Sequence, residues 1–188
     1  MKPPIDLTEH QLDSEAVFDG ALLHVRRDHV RLPDGSTGLR EYIVHPGAVC
    51  ILPLFDDGRI LLERQYRYPL QQAIVELPAG KIDPGEATAA TARRELLEET
   101  GYVAQHWVRL TTIHPVCAYS TEQVEIWLAR DLKFQGAKLD EGEFLETFIL
   151  PVDEALQWVR SGRVSDVKTI IGIQWAEKIL AGIWPSPE

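Results

Sequence analysis

The feature of this sequence that most limits its fold is one uninterrupted helical pattern between regions of strand-like pattern. Residues 87–100 contain no proline or glycine and are rich in alanine, leucine and glutamate. Gly101 follows directly, and glycine commonly ends helices. Strand-like runs precede and follow this segment, and two more helices are predicted near the C-terminus. The order strands, helix, strands, helices is typical of a mixed α/β fold built in layers.

The elements predicted around this helix divide the chain into two domains, 1–45 and 46–188. Turn residues such as those at 33–35 predict a small antiparallel sheet within residues 16–44, too small to be stable alone. The other predicted strands cover residues 48–54, 60–66, 102–113, 124–129 and 144–150, and the two C-terminal helices cover 152–160 and 166–180. The turn residues Asp56, Asp57 and Gly58 predict that strands 48–54 and 60–66 form a hairpin.

Charge and hydropathy exclude several classes of protein. The 188 residues include 19 basic and 29 acidic side chains, a formal net charge of −10, which argues against nucleic acid or a membrane surface as a partner. The longest apolar stretch, residues 48–55, is far shorter than the roughly 20 residues of a membrane span. We expect a cytoplasmic protein whose two cysteines, Cys50 and Cys117, lie on buried strands as reduced thiols, with a structural disulfide as the alternative.

Three glutamates on the central helix are the first candidate functional residues. Glu95, Glu98 and Glu99 are spaced i, i+3 and i+4, so their carboxylates project from one face of the helix. Such a cluster forms either a solvated acidic face or a site for a divalent cation, because hard cations prefer oxygen ligands. Arg94 can hold one of these glutamates by a charge-assisted hydrogen bond, or it forms an ordinary surface ion pair.

The segment around these glutamates resembles the signature of the Nudix hydrolase superfamily, G-x5-E-x7-R-E-U-x-E-E-x-G-U, where U is apolar or aromatic. Every specified position is filled, by Gly80, Glu86, Arg94, Glu95, Leu96, Glu98, Glu99, Gly101 and Tyr102. The resemblance implies a Nudix α/β/α sandwich with a small N-terminal antiparallel β-sheet. It also implies hydrolysis of a nucleoside diphosphate linked to another group.

The same resemblance assigns roles to the matching residues. It implies two or three Mg²⁺ or Mn²⁺ ions per active site, held by Glu95, Glu98, Glu99 and the backbone carbonyl of Ala79. Glu86 matches the glutamate that usually supports this site from behind the metal ligands. Glycine at position 80 permits a tight loop whose backbone approaches the metal.

Segments outside the signature resemble ADP-ribose pyrophosphatases and related nucleoside-diphosphate-sugar hydrolases. The sequence Glu-Leu-Pro-Ala-Gly-Lys at 76–81 matches the entry to the signature in that group. Arg67 lies on the strand before this segment and is either a bidentate ligand of the diphosphate or a surface arginine. The pair Arg40 and Glu41 resembles the pair with which some bacterial members contact adenine.

An acidic segment, residues 140–146, resembles the loop that supplies the general base in ADP-ribose pyrophosphatases. Glu143 is our first choice for the base and Glu141 the alternative, and a solvated acidic turn stays open as a third interpretation. In this family the N-terminal sheet commonly exchanges between protomers. The resemblance therefore implies a homodimer in which Arg40 and Glu41 reach the partner's active site.

Three functions remain open at this point. The first is hydrolysis of ADP-ribose to AMP and ribose 5-phosphate. The second is hydrolysis of another nucleoside diphosphate sugar such as GDP-mannose, and it stays open because Pro115 follows Gly101 by 14 residues, a shorter spacing than in many ADP-ribose pyrophosphatases. The third is a non-catalytic Nudix module that binds a nucleotide metabolite.

Overall fold

The computed structural model of the protein describes residues 4–136 and 144–184. Within them it contains ten β-strands, three α-helices and one short 3₁₀ helix. The strands are β1 (His10–Asp19), β2 (His24–Arg31), β3 (Thr37–Val44), β4 (Ala48–Pro53), β5 (Arg59–Arg67), β6 (Gln72–Glu76), β7 (Ala79–Lys81), β8 (Tyr102–Ile113), β9 (Val124–Phe134) and β10 (Leu145–Pro151). The helices are α1 (Thr88–Thr100), α2 (Val152–Arg160) and α3 (Val167–Leu180), and the 3₁₀ helix covers Tyr68–Leu70.

The chain forms two compact units, of which the first contains the N-terminal sheet. This unit takes in the residues up to Pro46 together with Val116–Glu122. Strands β1, β2 and β3 pair in that order as an antiparallel sheet. The later segment joins them because the N–H of Ile43 donates to the carbonyl of Tyr119 at 2.9 Å and the carbonyl of Ile43 accepts from Thr121 N–H at 3.0 Å.

The second unit contains two sheets and all three α-helices. It takes in Gly47–Pro115 and the residues from Gln123 onward. One sheet has the order β7-β4-β9-β8, in which β4 and β9 run parallel and the other neighbours are antiparallel. The other sheet has the antiparallel order β10-β5-β6. Strand β4 is therefore central, and its residues are almost all buried.

Strand β4 is covered by helices on both faces. Successive side chains of a strand point to opposite faces. On one face Val49 and Ile51 pack in a core with Ala92 and Leu96 of α1, and on the other face Cys50 and Leu52 pack in a core with Ile173 and Ala176 of α3. This layering confirms the predicted α/β/α fold and fixes α1 on the sheet by its apolar face.

The predicted hairpin between residues 48–54 and 60–66 is wrong. The turn itself forms, since Gly58 N–H donates to the carbonyl of Phe55 at 3.1 Å, and one isolated bridge joins Leu54 to Ile60. Beyond that bridge the strands separate into different sheets, because β4 pairs with β7 and β9 while β5 pairs with β6 and β10. Both neighbours of β4 in its sheet therefore come from distant parts of the sequence.

The longer predicted elements form where expected, but β1 begins at His10, before the predicted 16–44, β9 extends to Phe134, beyond the predicted 124–129, and β6 and β7 were not predicted. Cys50 is buried as expected, but Cys117 is exposed and lies in a turn rather than on a buried strand. Both cysteines are free thiols. Among the described residues, no helix is long and apolar enough to cross a membrane.

Candidate active site

Helix α1 places three carboxylates beside the segment that carries β7. The helix ends at Gly101, which has a left-handed backbone (φ 73°) and donates its N–H to the carbonyl of Leu97 at 2.9 Å. Glycine adopts this conformation without the steric cost of a Cβ atom. The helix buries Leu96 completely, and this orientation turns Glu95, Glu98 and Glu99 away from the core of the apolar face.

The segment before the helix, residues 77–81, which includes β7 and which we call the glycine loop, approaches these carboxylates closely. The N–H of Ala79 donates to Oε2 of Glu99 at 3.1 Å, and Glu99 is only 5 % exposed. A Cβ atom on Gly80 would lie 1.9 Å from Cδ of Glu95, far inside any permitted contact. A side chain at position 80 would therefore displace the Glu95 carboxylate, so the loop and helix form one closely packed element.

Arg94 lies among the carboxylates of the site. Its Nη1 donates to Oε1 of Glu95 at 2.8 Å and to Oε2 of Glu98 at 3.1 Å, while its Nη2 donates to Oε2 of Glu86 at 2.9 Å. These three glutamates and Glu99 carry four formal negative charges, whereas Arg94 carries one positive charge. The arrangement keeps a strong attraction for added cations even though one arginine is already in place.

The donor set fits a divalent cation. The side chains of Glu95, Glu98 and Glu99 supply hard oxygen donors from one rigid helix, and the missing Cβ at Gly80 leaves room for the Glu95 carboxylate against the loop. Among the described residues, no three acidic, histidine or cysteine side chains converge as a metal cage, since Glu95 and Glu98 bond to Arg94 instead. A cation could bind through the two carboxylate oxygens that Arg94 contacts only if these side chains turned from Arg94.

Glu86 anchors Arg94 from the far side and makes the site sensitive to acid. Hydrogen bonds from Arg94 lower the pKa of Glu86 from its ordinary 4.5 to about 2, and Thr91 adds a further hydrogen bond to the carboxylate. Arg94 in turn has its pKa raised, chiefly by Glu86. Glu86 therefore acts on the site through Arg94.

We expect stability to fall as the pH drops from about 4.5 to about 2, in part through Glu86. Its pKa is lower in the folded than in the unfolded chain, so its contribution is complete above pH 4.5 and is lost as the pH falls through the folded value. The difference in Tm between wild type and Glu86→Gln should be largest at neutral pH and should shrink below pH 4.5. A constant difference from pH 7 to pH 2.5 would show that Glu86 does not contribute through its charge.

Arg67 lies at the end of β5 and is held by a carboxylate. Its Nε and Nη2 donate to the two carboxylate oxygens of Glu76 at 2.5 and 2.9 Å. Glu76 stands at the end of β6, directly before the loop that carries Ala79 and Gly80. Arg67 is neither fully buried nor a freely extended surface arginine, because 39 % of its side chain is exposed.

Arg40 and Glu41 lie together in the first unit. They line an open pocket of about 420 Å³ with Asp28, Tyr42 and residues 117–121. Arg40 donates from Nε to Glu9 at 2.8 Å, and Glu41 accepts from Nε of Arg27 at 2.8 Å. Both members of the predicted adenine-binding pair are therefore engaged in ion pairs.

Two predicted site residues, Glu141 and Glu143, lie outside the described residues. The structure also adds a residue that the sequence did not single out. Lys168, in the first turn of α3, donates to Oε2 of Glu76, the carboxylate that holds Arg67. The signal available was weak, since Lys168 is separated from Glu76 by 92 positions.

Comparisons with known proteins agree with this architecture. The chain matches the NUDIX domain over residues 44–168 and the nucleoside diphosphate sugar hydrolase N-terminal domain over residues 9–43. It resembles a crystal structure titled as an ADP compounds hydrolase with a TM-score of 0.84 and 24 % identity, covering 95 % of this chain and 97 % of that one.

Curated relatives extend over nearly the whole chain. The ADP-ribose pyrophosphatase of Bacillus subtilis (strain 168) is 39 % identical over 173 residues, which cover 91 % of this chain and 94 % of the relative. The methanol dehydrogenase activator of Bacillus methanolicus is 38 % identical over 171 residues, which cover 90 % and 92 %. Hydrolases with this domain generally use divalent metal ions. With its complete signature on α1 and the preceding loop, this chain belongs to the NUDIX family.

Proposed function

We propose that this protein hydrolyses the pyrophosphate bond of a nucleoside diphosphate sugar, with ADP-ribose as substrate and AMP and ribose 5-phosphate as products. The observation that carries the proposal is the packing of two α1 carboxylates against the glycine loop, where Glu99 accepts from the N–H of Ala79 and Glu95 fills the space that Gly80 leaves. The identity to a relative named as an ADP-ribose pyrophosphatase supports the choice of substrate.

The proposed metal ligands are Glu95, Glu98, Glu99 and the carbonyl of Ala79, with two or three Mg²⁺ or Mn²⁺ ions per site. Such ions would neutralise the diphosphate and lower the pKa of a bound water. Glu86 holds Arg94 with two hydrogen bonds and keeps it beside the ligands. The chain is acidic overall, and bound cations would offset its repulsion of an anionic substrate.

Three side chains are proposed to bind the substrate. Arg67 presents a guanidinium at the edge of the loop, and a guanidinium suits bidentate contact with a diphosphate. Arg40 and Glu41 are proposed to contact the base. Their pocket supports this, because it offers donors and acceptors together with the aromatic side chains of Tyr42 and Tyr119.

Glu143 is proposed as the general base, with Glu141 as the alternative. Replacing Glu143 with glutamine removes proton acceptance but keeps the size of the side chain. We expect kcat to fall by about 10²–10⁴-fold, the usual contribution of general-base catalysis, with little change in the metal concentration for half-maximal rate. If Glu141→Gln slows turnover and Glu143→Gln does not, the base is Glu141.

The proposal also includes an oligomeric state and a cellular compartment. The first unit exposes large apolar side chains on its sheet, including Val17, Phe18 and Leu39, which favours burial against a second copy of this chain. We therefore propose a homodimer. The two free thiols favour a reducing compartment, so we place the protein in the cytoplasm.

A substrate panel tests the choice of nucleotide sugar. ADP-ribose, GDP-mannose, UDP-glucose, NADH and diadenosine polyphosphates are compared by kcat/KM with Mg²⁺ present. We expect ADP-ribose to be preferred. A preference for GDP-mannose would favour the alternative hydrolase, for which more distant relatives named GDP-mannose pyrophosphatase stand as precedent. Nucleotide binding without turnover under Mg²⁺ or Mn²⁺ would favour the non-catalytic module.

A further inference from the structure

Four charged side chains form a chain of ion pairs beneath the glycine loop. Arg67 bonds to both carboxylate oxygens of Glu76, and Lys168 donates to Oε2 of the same carboxylate. Nζ of Lys168 also lies 3.0 Å from Oδ2 of Asp166. The four groups alternate in sign from α3 to the end of β5, so each charge has an opposite neighbour.

These groups are unusually buried for charged side chains. The side chain of Glu76 is 2 % exposed and that of Lys168 is 14 % exposed. Placing ions in such surroundings carries a desolvation cost that often equals or exceeds the gain from pairing. A buried pair is therefore weak evidence for stability alone, and its geometry suggests a different use.

Arg67 and Lys168 keep the carboxylate of Glu76 ionised. Burial alone would raise the pKa of Glu76, but the hydrogen bond from Arg67 and the charge of Lys168 together lower it below its ordinary value. The carboxylate is therefore ionised at neutral pH. It can hold a guanidinium continuously rather than for part of the time.

Arg67 is held by one edge of its guanidinium. Nε and Nη2 face Glu76, whereas an arginine has five N–H donors arranged as a planar fork. Within residues 4–136 and 144–184, no hydrogen bond is seen for Nη1 of Arg67, so the edge opposite Glu76 can donate to a second anion. A guanidinium fixed along one edge and 39 % exposed loses less side-chain entropy when it binds a ligand than a mobile one.

Helix α3 fixes the position of Lys168. Asp166 caps the helix by accepting from the N–H of Thr169 at 3.0 Å and from its hydroxyl at 2.6 Å. The hydroxyl oxygen of Thr169 accepts from the N–H of Leu77 at 2.8 Å, one residue after Glu76. The start of α3 and the start of the glycine loop are thus joined by the backbone of Leu77 as well as by the ion pair.

We infer that Lys168 is a positioning residue, which holds Glu76 so that Glu76 presents the free edge of Arg67 to the diphosphate of the substrate. This role rests on the proposed function, because Arg67 is the residue that meets the substrate. Lys168 acts through Glu76 and does not itself contact the reacting groups.

A double-mutant cycle tests the inference. In the wild-type background, Lys168→Met should raise KM for the nucleotide sugar about tenfold, within the range of coupling between residues of one ion-pair network, while kcat changes less than threefold. In an Arg67→Gln background the same change should leave KM unaltered. If Lys168→Met raises KM by the same factor in both backgrounds, Lys168 does not act through Arg67.

Two companion variants separate positioning from folding. Lys178→Met removes a half-buried lysine of the same helix, paired with Glu177, and should leave KM and kcat unchanged. If Lys168→Met does not fold, Lys168→Gln keeps a hydrogen-bond donor while removing the charge, and it should raise KM in the same direction. A folded Lys168→Gln protein with wild-type KM would overturn the inference.

A readout independent of turnover distinguishes this inference from the proposed function. The Nε–H of Arg67 can be followed by ¹H–¹⁵N NMR and identified by its loss in Arg67→Gln. Loss of Lys168 should speed its exchange with water about tenfold if coupling is of the size typical of one network. Unchanged exchange would contradict the positioning role. Absence of hydrolysis by the wild-type protein would contradict the proposed function alone.

Discussion

Replacing Glu98 with glutamine is expected to lower kcat by roughly two to three orders of magnitude. Charge stabilisation by a bound metal is worth several kcal/mol, and each 1.4 kcal/mol corresponds to a factor of ten. Glutamine keeps the size of the side chain but has no charge with which to hold a cation. The rate is measured as a function of Mg²⁺ concentration, and the curve should also shift to higher concentrations.

Glu98 is a cleaner test than Glu99. Glu98 is partly exposed, and in the described part of the chain its side chain is hydrogen-bonded only to Arg94. Glu99 is buried and accepts a hydrogen bond from the backbone N–H of Ala79. Glu99→Gln therefore changes the loop as well as the charge. Glu154→Gln, an exposed glutamate of α2, is the control and should leave kcat unchanged. Wild-type turnover in Glu98→Gln would remove Glu98 from the metal site.

Replacing Gly80 with alanine is expected to lower kcat/KM by about a hundredfold, because a displacement of about 1 Å in catalytic groups has effects of this size. The added Cβ would meet the Glu95 carboxylate at 1.9 Å, so that carboxylate must move. Because the atoms that move belong to a flexible side chain, we expect a stability loss smaller than the roughly 1–3 kcal/mol of overpacking in a core. Steady-state kinetics and thermal unfolding measure the two effects.

Gly85→Ala is the matched control for this change. Gly85 has a left-handed backbone (φ 79°), but a Cβ there would meet no atom within 4 Å. We expect a stability loss of about 1 kcal/mol from backbone strain and no change in kcat/KM. Equal losses of kcat/KM in the two variants would mean that loop strain, rather than displacement of Glu95, explains the effect at position 80.

Local patterns in the sequence predicted most of the larger elements. Residues 102–113 and 152–160 form a strand and a helix with the predicted bounds, and α1 begins one residue later than predicted. Hydrophobic periodicity needs several consecutive residues before it can be recognised, and proline and glycine mark the ends of an element. These signals therefore predict elements that are more than a few residues long. The short strands β6 and β7 were missed because five and three residues hold too little pattern.

Pairings between distant residues were harder to predict. The turn at Asp56, Asp57 and Gly58 suggested a hairpin, but β4 pairs with β7 and β9 from elsewhere in the chain. Cys117 lies in an apolar run that resembles a strand, yet its backbone turns there and exposes the thiol.

In the candidate site too, some contacts were predictable from local sequence and others depend on the fold. Glu95, Glu98 and Glu99 were grouped from their spacing on a helix, which is a local property. The bond between Lys168 and Glu76 depends on how α3 packs against the end of β6, and no local pattern contains that information. The partners of Arg67 therefore became known only from the fold.

The central claim is that this chain hydrolyses a pyrophosphate with the help of divalent cations. The most direct test incubates the purified protein with ADP-ribose and Mg²⁺, and separately with EDTA, and identifies the products by mass. We predict AMP and ribose 5-phosphate in equal amounts with Mg²⁺ and no products with EDTA. Equal rates in EDTA, or intact ADP-ribose after incubation with either Mg²⁺ or Mn²⁺, would contradict the account.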